Sequence, residues 1–424
     1  MKFHVITLGC PKNRVDTEHI LGNLKAGLKE FELVDSQRKS DIILINTCSF
    51  IEDAVSESIE TILESASKKS EDQQLVVTGC LVERYGAETL KKELPEVDLF
   101  LGFEAVRRLP EILGASQEQA ELFRLLSTPP WRAYLKISEG CSNKCTYCLI
   151  PRIRGQQICR NPVSILKEAE ELAASGVKEI TLVAQDLTAY HHDGADLADL
   201  LEQLADKLEQ TWLRLLYLYP SKISDKLLNI IAEHNNICPY FDIPIQHSSS
   251  TILKKMGRQY SSKDLYSLLE RIKNKIPGAH IRTSVIVGFP GETERDFQEL
   301  KTFIEEAQFD HLGCFAYSDE EEAPSAKFTD KVDAKKAEKR RSEIMEIQQE
   351  ISRQKMKQLV GTTQKVLVEG LSDETDLLLV GRTKYQAPEI DGQVFINKGF
   401  ADPGEIVKVK ITDSHIYDLV GKVI

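Results

Sequence analysis

Short apolar runs, many of them β-branched, alternate with amphipathic stretches along most of this chain, and that alternation admits few folds. From residue 1 to about 115, the runs FHVITLGC, DIILINTC and QLVVTGC are separated by segments of helical spacing such as VDTEHILGNLKAGLKE. The pattern predicts an open parallel α/β domain over 1–115. Residues 116–130, ending in Pro129 and Pro130, read as a linker. Over 131–330 the alternation resumes with six strand-like runs: AYLKIS, EITLVAQD, LRLLYLYP, YFDIPIQH, IRTSVIVGF and HLGCFAYS. These predict a partial β/α barrel with its active site at the carboxyl ends of the strands. Residues 331–360 are dense in charge and read as a solvated linking helix. Five short strands separated by turn residues over 361–424 predict a small antiparallel β-barrel of the oligonucleotide-binding kind.

Composition narrows the setting. The chain of 424 residues has room for about three domains. No apolar run approaches the roughly 18 residues of a membrane-spanning helix, and the opening MKFHVITLGCPKN lacks the apolar core of a signal peptide. The sequence therefore reads as cytoplasmic, with no membrane partner. Nine cysteines, an odd number without a secretory signal, point to reduced thiols with metal or redox duties.

Cys141, Cys145 and Cys148 form C-x3-C-x2-C directly after the strand-like AYLKIS. Three thiolates on one loop can hold three corners of a four-iron cluster, leaving one iron open to the amino and carboxylate groups of S-adenosylmethionine (SAM). Zinc is the alternative, but it usually takes four ligands in two close pairs, and no second close pair is present. Cys10, Cys48 and Cys80 each end an apolar run and stand 38 and 32 residues apart, about one βα repeat. On neighbouring parallel strands they reach one carboxyl edge, either as a second cluster site or as three buried structural cysteines. The glycines beside Cys10 and Cys80 allow close backbone approach to a cluster.

With LGCPKNRVDTE, CSNKCTYCLIPRIRG and a last segment containing VGRTKYQAPEIDG, the chain resembles radical-SAM methylthiotransferases over essentially its whole length. LGCPKN, VAQD, LYLYP and DIPIQH resemble the branch that modifies a ribosomal protein; the tRNA-modifying branch opens with a Gly-Cys-Gln type motif. The resemblance implies two 4Fe-4S clusters, a radical-SAM cluster on Cys141, Cys145 and Cys148 and an auxiliary one on Cys10, Cys48 and Cys80. It also implies a TRAM-type last domain, SAM as radical source and methyl donor, an electron donor such as a flavodoxin, and an aspartate β-carbon of small-subunit ribosomal protein twelve as target, free or within the particle. Its rivals are methylthiolation of a tRNA adenosine and a non-enzymatic iron-sulfur protein that binds the ribosome.

Candidate SAM contacts follow from the strand ends. Gln185 and Asp186 close one run and Gln246 and His247 another. Gly288 and Gly291, in GFPGE, would let backbone approach the cofactor, ahead of a helix start at Thr293. Arg152 and Arg154 have forked donors suited to the carboxylate of SAM or of substrate. Tyr217 and Tyr219 share a strand face by period two. His191 and His192 read as a polar loop, and Cys238 and Cys314 as core residues. Cys159 replaces the family's usual serine and reads as a tolerated substitution. The last 64 residues hold seven Lys and Arg against ten Asp and Glu, so nucleic-acid contact is not expected and docking to a basic protein is.

Overall fold

The computed structural model describes residues 1–114 and 124–424, so part of the expected 116–130 linker lies outside the described residues. Packing divides the chain into two compact units. The first comprises Met1–Thr128, Glu139–Ser142 and Leu149–Gln157; the second comprises Pro129–Ser138, Asn143–Cys148 and Ile158–Ile424.

In the first unit the order is β1 (Lys2–Thr7), α1 (Pro11–Gly27), β2 (Glu32–Leu33), β3 (Ile42–Thr47), α2 (Glu52–Lys68), β4 (Gln74–Gly79), α3 (Cys80–Tyr85), α4 (Ala87–Glu93) and β5 (Leu99–Leu101). The strands form one parallel sheet in the order β2-β1-β3-β4-β5. β3 is buried along its whole length, which is why IILINT reads as a continuous apolar run rather than an alternating one. Separate apolar clusters cover the two faces. Ile45, Ile62 and Leu75 belong to one, and Phe3, Leu24 and Leu44 to the other.

The second unit contains β6 (Arg132–Lys136), α5 (Pro162–Ala174), β7 (Glu179–Val183), α6 (Leu197–Lys207), β8 (Trp212–Leu215), α7 (Asp225–Glu233), β9 (Ile237–Asp242), α8 (Ser262–Lys275), β10 (His280–Val287), α9 (Glu294–Ala307) and β11 (His311–Ala316). Its six strands lie parallel in chain order, β6-β7-β8-β9-β10-β11, as a partial β/α barrel requires. Thr293 caps α9 through a reciprocal pair with Asp296, where the sequence places the helix start.

The charged helix α10 (Ala334–Leu359) departs from expectation. It is not a solvated linker: Ala337, Arg340, Ile344, Gln348, Ile351, Ser352 and Met356 are buried. Gln348 donates to Phe309 O at 2.9 Å, and Met356 joins the core of the last barrel. That barrel is closed by β12 (Thr363–Ser372), β13 (Thr375–Arg382), β14 (Val394–Lys398), β15 (Ile406–Ser414) and β16 (Leu419–Val423), in the order β12-β13-β14-β16-β15. Four of its pairings are antiparallel, and β14 with β16 is parallel. Among the described residues no helix is long and apolar enough to cross a membrane.

Candidate active site

β1, β3 and β4 are adjacent and parallel, so the chain leaves all three at one carboxyl edge. Cys10 is the N-cap of α1, Cys48 follows β3, and Cys80 opens α3. Gly9 and Gly79 both have positive φ, +84° and +99°. A Cβ on Gly9 would lie 2.7 Å from Cys48 Cβ and 2.9 Å from its sulfur, and one on Gly79 would strike Asn46 and Thr47. These glycines therefore let neighbouring strand ends, and the Cys48 thiol among them, close on one another.

The three thiols differ in their electrostatic setting. Burial acts to raise the Cys10 thiol, but Lys12, Arg154 and the N–H groups of Asn13 and Lys12 outweigh it and lower its pKa. Burial raises Cys48 despite the N–H groups of Phe50 and Ser49, with Cys10 adding to the rise. Cys80 is pushed up to about 11, by burial foremost and by Cys48 and Cys10, against the pull of Arg154. A cationic metal centre would offset both this burial and the repulsion between thiolates, so the donor type fits an iron-sulfur cluster, while among the described residues no group of three or more His, Cys, Asp or Glu is placed to hold a single metal ion.

Two residues complete this edge. Asn13, fully buried, donates to Leu8 O at 3.0 Å and Thr47 O at 2.9 Å, tying the ends of β1 and β3. Its Oδ1 accepts from Arg154 and lies 3.7 Å from Cys80 Sγ. Arg154 pairs through Nη1 with Asp16 at 3.0 Å and Glu139 at 2.9 Å, and its Nη2 lies 3.4 Å from Cys80 Sγ. The fork expected to meet a SAM or substrate carboxylate is engaged here by the first unit's own thiol, amide and carboxylates. Sequence reasoning gave Asn13 no role, although LGCPKN contains it.

The central cysteine loop is divided between the units. In the first, Cys141 is buried and its N–H donates to Gly155 O at 3.1 Å. In the second, Cys148 N–H donates to Cys145 O at 3.3 Å, and Thr146 is fixed by Met256 O at 3.0 Å and Lys255 O at 2.9 Å. Arg258 Nη1 reaches Cys145 Sγ at 3.5 Å, its guanidinium lies 4.2 Å from the centre of the Tyr219 ring, and its Nη2 donates to Pro244 O at 2.6 Å. Neither Arg258 nor Tyr260, which stacks edge-on with Tyr219, was singled out from sequence.

The expected SAM contacts divide in the structure. Gln185 and Gln246 are half-buried at the carboxyl ends of β7 and β9, and Gln246 holds a left-handed φ of 68°. Asp186 is placed there too, but it is 2% exposed and held by the protein. Its Oδ2 takes Asn143 and Lys222, each at 2.7 Å, and its Oδ1 takes Thr188 at 2.6 Å. The amide and cation on this carboxylate, Asn143 and Lys222, are ones the sequence did not announce.

His247 is fully buried, accepts from Ser249 N–H at 2.9 Å through Nδ1, and faces Glu292 at 3.9 Å. A Cβ on Gly288 would strike Ala337 of α10, and one on Gly291 would strike Lys255 and Asp330, so both glycines make room for neighbouring protein. Tyr217 has a left-handed φ of 66°, which ends the period-two relation expected between it and Tyr219. Outliers at the ends of adjacent strands, Tyr217 and Gln246, mark where the backbone is held in sparsely populated conformations.

His191 and His192 form a small hairpin with Ala195–Asp196, and Cys159 Sγ accepts from His191 N–H at 3.4 Å, away from both triads in sequence and role. Burial pushes Cys238 up to about 11 and Cys314 to about 12, as befits inert core thiols.

Residues 2–102 match an uncharacterized protein family, UPF0004, residues 135–304 the radical SAM superfamily, and residues 360–424 the TRAM domain. The chain is 46% identical over 443 residues to "Ribosomal protein uS12 methylthiotransferase RimO" of Geotalea uraniireducens, covering 100% of this chain and 98% of that protein. It is 47% identical over 445 residues to the protein of that name from Desulfotalea psychrophila, covering 100% and 99%. For the one from Myxococcus xanthus the figures are 46% over 438 residues, 99% and 91%. Among solved structures it resembles the radical SAM methyltransferase TsrM of Kitasatospora setae, with TM-score 0.56, 13% identity, and coverage of 86% of this chain and 80% of that one. The cobalamin-dependent SAM radical enzyme OxsB gives TM-score 0.53 at 13% identity, covering 81% and 56%. At such identities the structural likeness speaks for the fold alone.

Proposed function

The chain belongs to the RimO family of ribosomal protein uS12 methylthiotransferases, and from that premise we propose that it places a methylthio group on the β-carbon of an aspartate of uS12. The family uses SAM and 4Fe-4S clusters. In our reading Cys141, Cys145 and Cys148 hold the cluster that binds SAM, and Cys10, Cys48 and Cys80 hold the auxiliary one. When bound, these groups supply a radical able to take hydrogen from an unactivated carbon, the sulfur to be inserted, and a methyl group.

The protein's own residues do the positioning. Asn13 and the two positive-φ glycines draw together the strand ends that carry the three thiols, and the backbone N–H groups of Asn13 and Lys12 at the start of α1 reach Cys10. Arg258, pinned between Tyr219 and Pro244 O, holds Cys145. Asp186, with Asn143 and Lys222, keeps the central loop against the end of β7. The observation that carries the reading is the convergence of Cys10, Cys48 and Cys80 at three adjacent parallel strand ends, in a chain that also has C-x3-C-x2-C. Chemistry on reduced thiolates requires a reducing compartment, which supports a cytoplasmic setting and a low-potential donor such as a flavodoxin.

A second reading, methylthiolation of a tRNA adenosine, has one observation in its favour. The net acidity of the last barrel conceals a row of lysines. Lys365 is paired with Lys408, Lys410 with Lys422, and Lys398 with Lys422, which puts five cations on one outer face. An anaerobic competition decides: reconstituted enzyme, SAM, reductant and sulfide with uS12 and unmodified tRNA together, both read by mass spectrometry. We expect a methylthio gain on an aspartate peptide alone, abolished by Cys10→Ala and by Cys145→Ala. Gain on the tRNA alone overturns the first reading.

A further inference from the structure

A buried guanidinium is expensive unless its partners justify it. The Arg154 side chain is 2% exposed, yet its two carboxylate partners both sit on Nη1 and are partly solvated, Asp16 at 16% and Glu139 at 33%. An ion pair with those carboxylates alone needs no deeper insertion. Instead Nη2 continues inward to Asn13 Oδ1 and to Cys80 Sγ at 3.4 Å, while Phe103 covers the guanidinium at 4.4 Å. The arrangement is an anchored cation with one nitrogen presented to a sulfur.

Hydrogen bonds to cysteine sulfur and nearby positive charge stabilise the more negative, reduced form of an iron-sulfur cluster and raise its potential. Arg154 stands six residues after Cys148, beyond the short helix Ile150–Ile153, so the radical-SAM motif's own downstream segment supplies it. We propose that Arg154 is a positioning residue for the auxiliary cluster, donating through Nη2 to the sulfur of Cys80 and holding the cluster at a higher reduction potential than its thiolates alone would set. This rests on the reading that Cys10, Cys48 and Cys80 carry a cluster.

The test uses the full chain with Cys141, Cys145 and Cys148 replaced by Ala, reconstituted with iron and sulfide, so that bound iron reports on the auxiliary triad. Grown with arginine labelled with nitrogen-15 in its guanidino group, the reduced protein should show a nitrogen-15 coupling in pulsed electron paramagnetic resonance. Arg154→Lys should lose that coupling. In Arg154→Gln the reduced-to-oxidised ratio at a fixed potential should fall by on the order of tenfold. No iron in the parent overturns the cluster assignment itself. Iron without the coupling, or a folded Arg154→Gln with the parent's midpoint, overturns the role of Arg154 and leaves the cluster standing. If Arg154→Gln does not fold, the labelled parent decides alone.

Discussion

Asn13 is densely linked at the first triad: its side chain donates to Leu8 O and Thr47 O and accepts from Arg154, and its carbonyl accepts from Asn46 at 2.9 Å and Thr17 at 3.2 Å. Truncation to Ala leaves two buried carbonyls and a guanidinium short of partners, at about 1–3 kcal/mol each where no water replaces the amide. Asn13→Ala should therefore lower apo stability by about 2 kcal/mol or more in urea unfolding, and should lose iron from the auxiliary triad when the central cysteines are absent. Parental stability together with parental iron would refute that role. The cysteines themselves were legible because spacing and strand ends announce them. Asn13 was not, because an amide in a motif carries no periodic signal; its importance comes from the ends of β1 and β3 meeting around it. Gly288 has a packing duty that its loop motif does not announce: in GFPGE it suggested cofactor approach, and in the structure φ is +75° and the missing Cβ makes room for Ala337. Gly288→Ala should destabilise by about 1–3 kcal/mol, and a cycle with Ala337→Gly should show a coupling that additive effects would not give.

At the scale of elements, α10 explains why a charged stretch was misread. Its buried stripe runs through Ala337, Arg340, Ile344, Gln348, Ile351, Ser352 and Met356, so only three of the seven are large and apolar. Arg340 earns its burial through Glu292 Oε1 at 3.3 Å and Glu292 O at 3.2 Å, and Gln348 through Phe309 O. A periodicity scored on apolar residues alone passes over a face built from paired polar ones. Ile351→Ala should then lower stability by about 2–5 kcal/mol, whereas Glu346→Ala, on the exposed side, should stay within about 0.5 kcal/mol. Equal effects of the two would restore the solvated helix. The parallel sheets were legible from central strands such as β3, β7 and β8, which are buried along their whole length and read as unbroken runs. The parallel β14–β16 pair was not, since strand order in a closed barrel depends on how distant turns fold back.

At the scale of the whole chain, a net charge of -12 conceals where charge does structural duty. In the second unit Glu179 on β7 meets Arg214 on β8 at 2.7 Å and Arg382 on β13 at 3.1 Å, the latter partner 203 residues away. All three side chains are nearly or fully buried. No local pattern could have paired them, because the contact exists only once the last barrel has docked on the parallel sheet. Burial acts to raise the Glu179 carboxyl, but Arg214 and then Arg382 overcome it and lower the pKa to about 2. A carboxyl depressed in the folded state below its usual value of about 4.3 contributes stability that is complete above that value and is lost as pH falls through the folded one. Glu179→Gln, which leaves the buried Arg214 guanidinium without its anion and Arg382 with Glu369 alone, should cost about 3–5 kcal/mol at neutral pH. Because the parent carboxyl protonates on acidification, the gap between parent and variant should persist down to about pH 4 and shrink as pH approaches about 2. Urea unfolding of both proteins across that range isolates this one group from the other carboxyls they share. A gap that stays constant through the acid range would mean that Glu179 holds the barrel by shape rather than by charge.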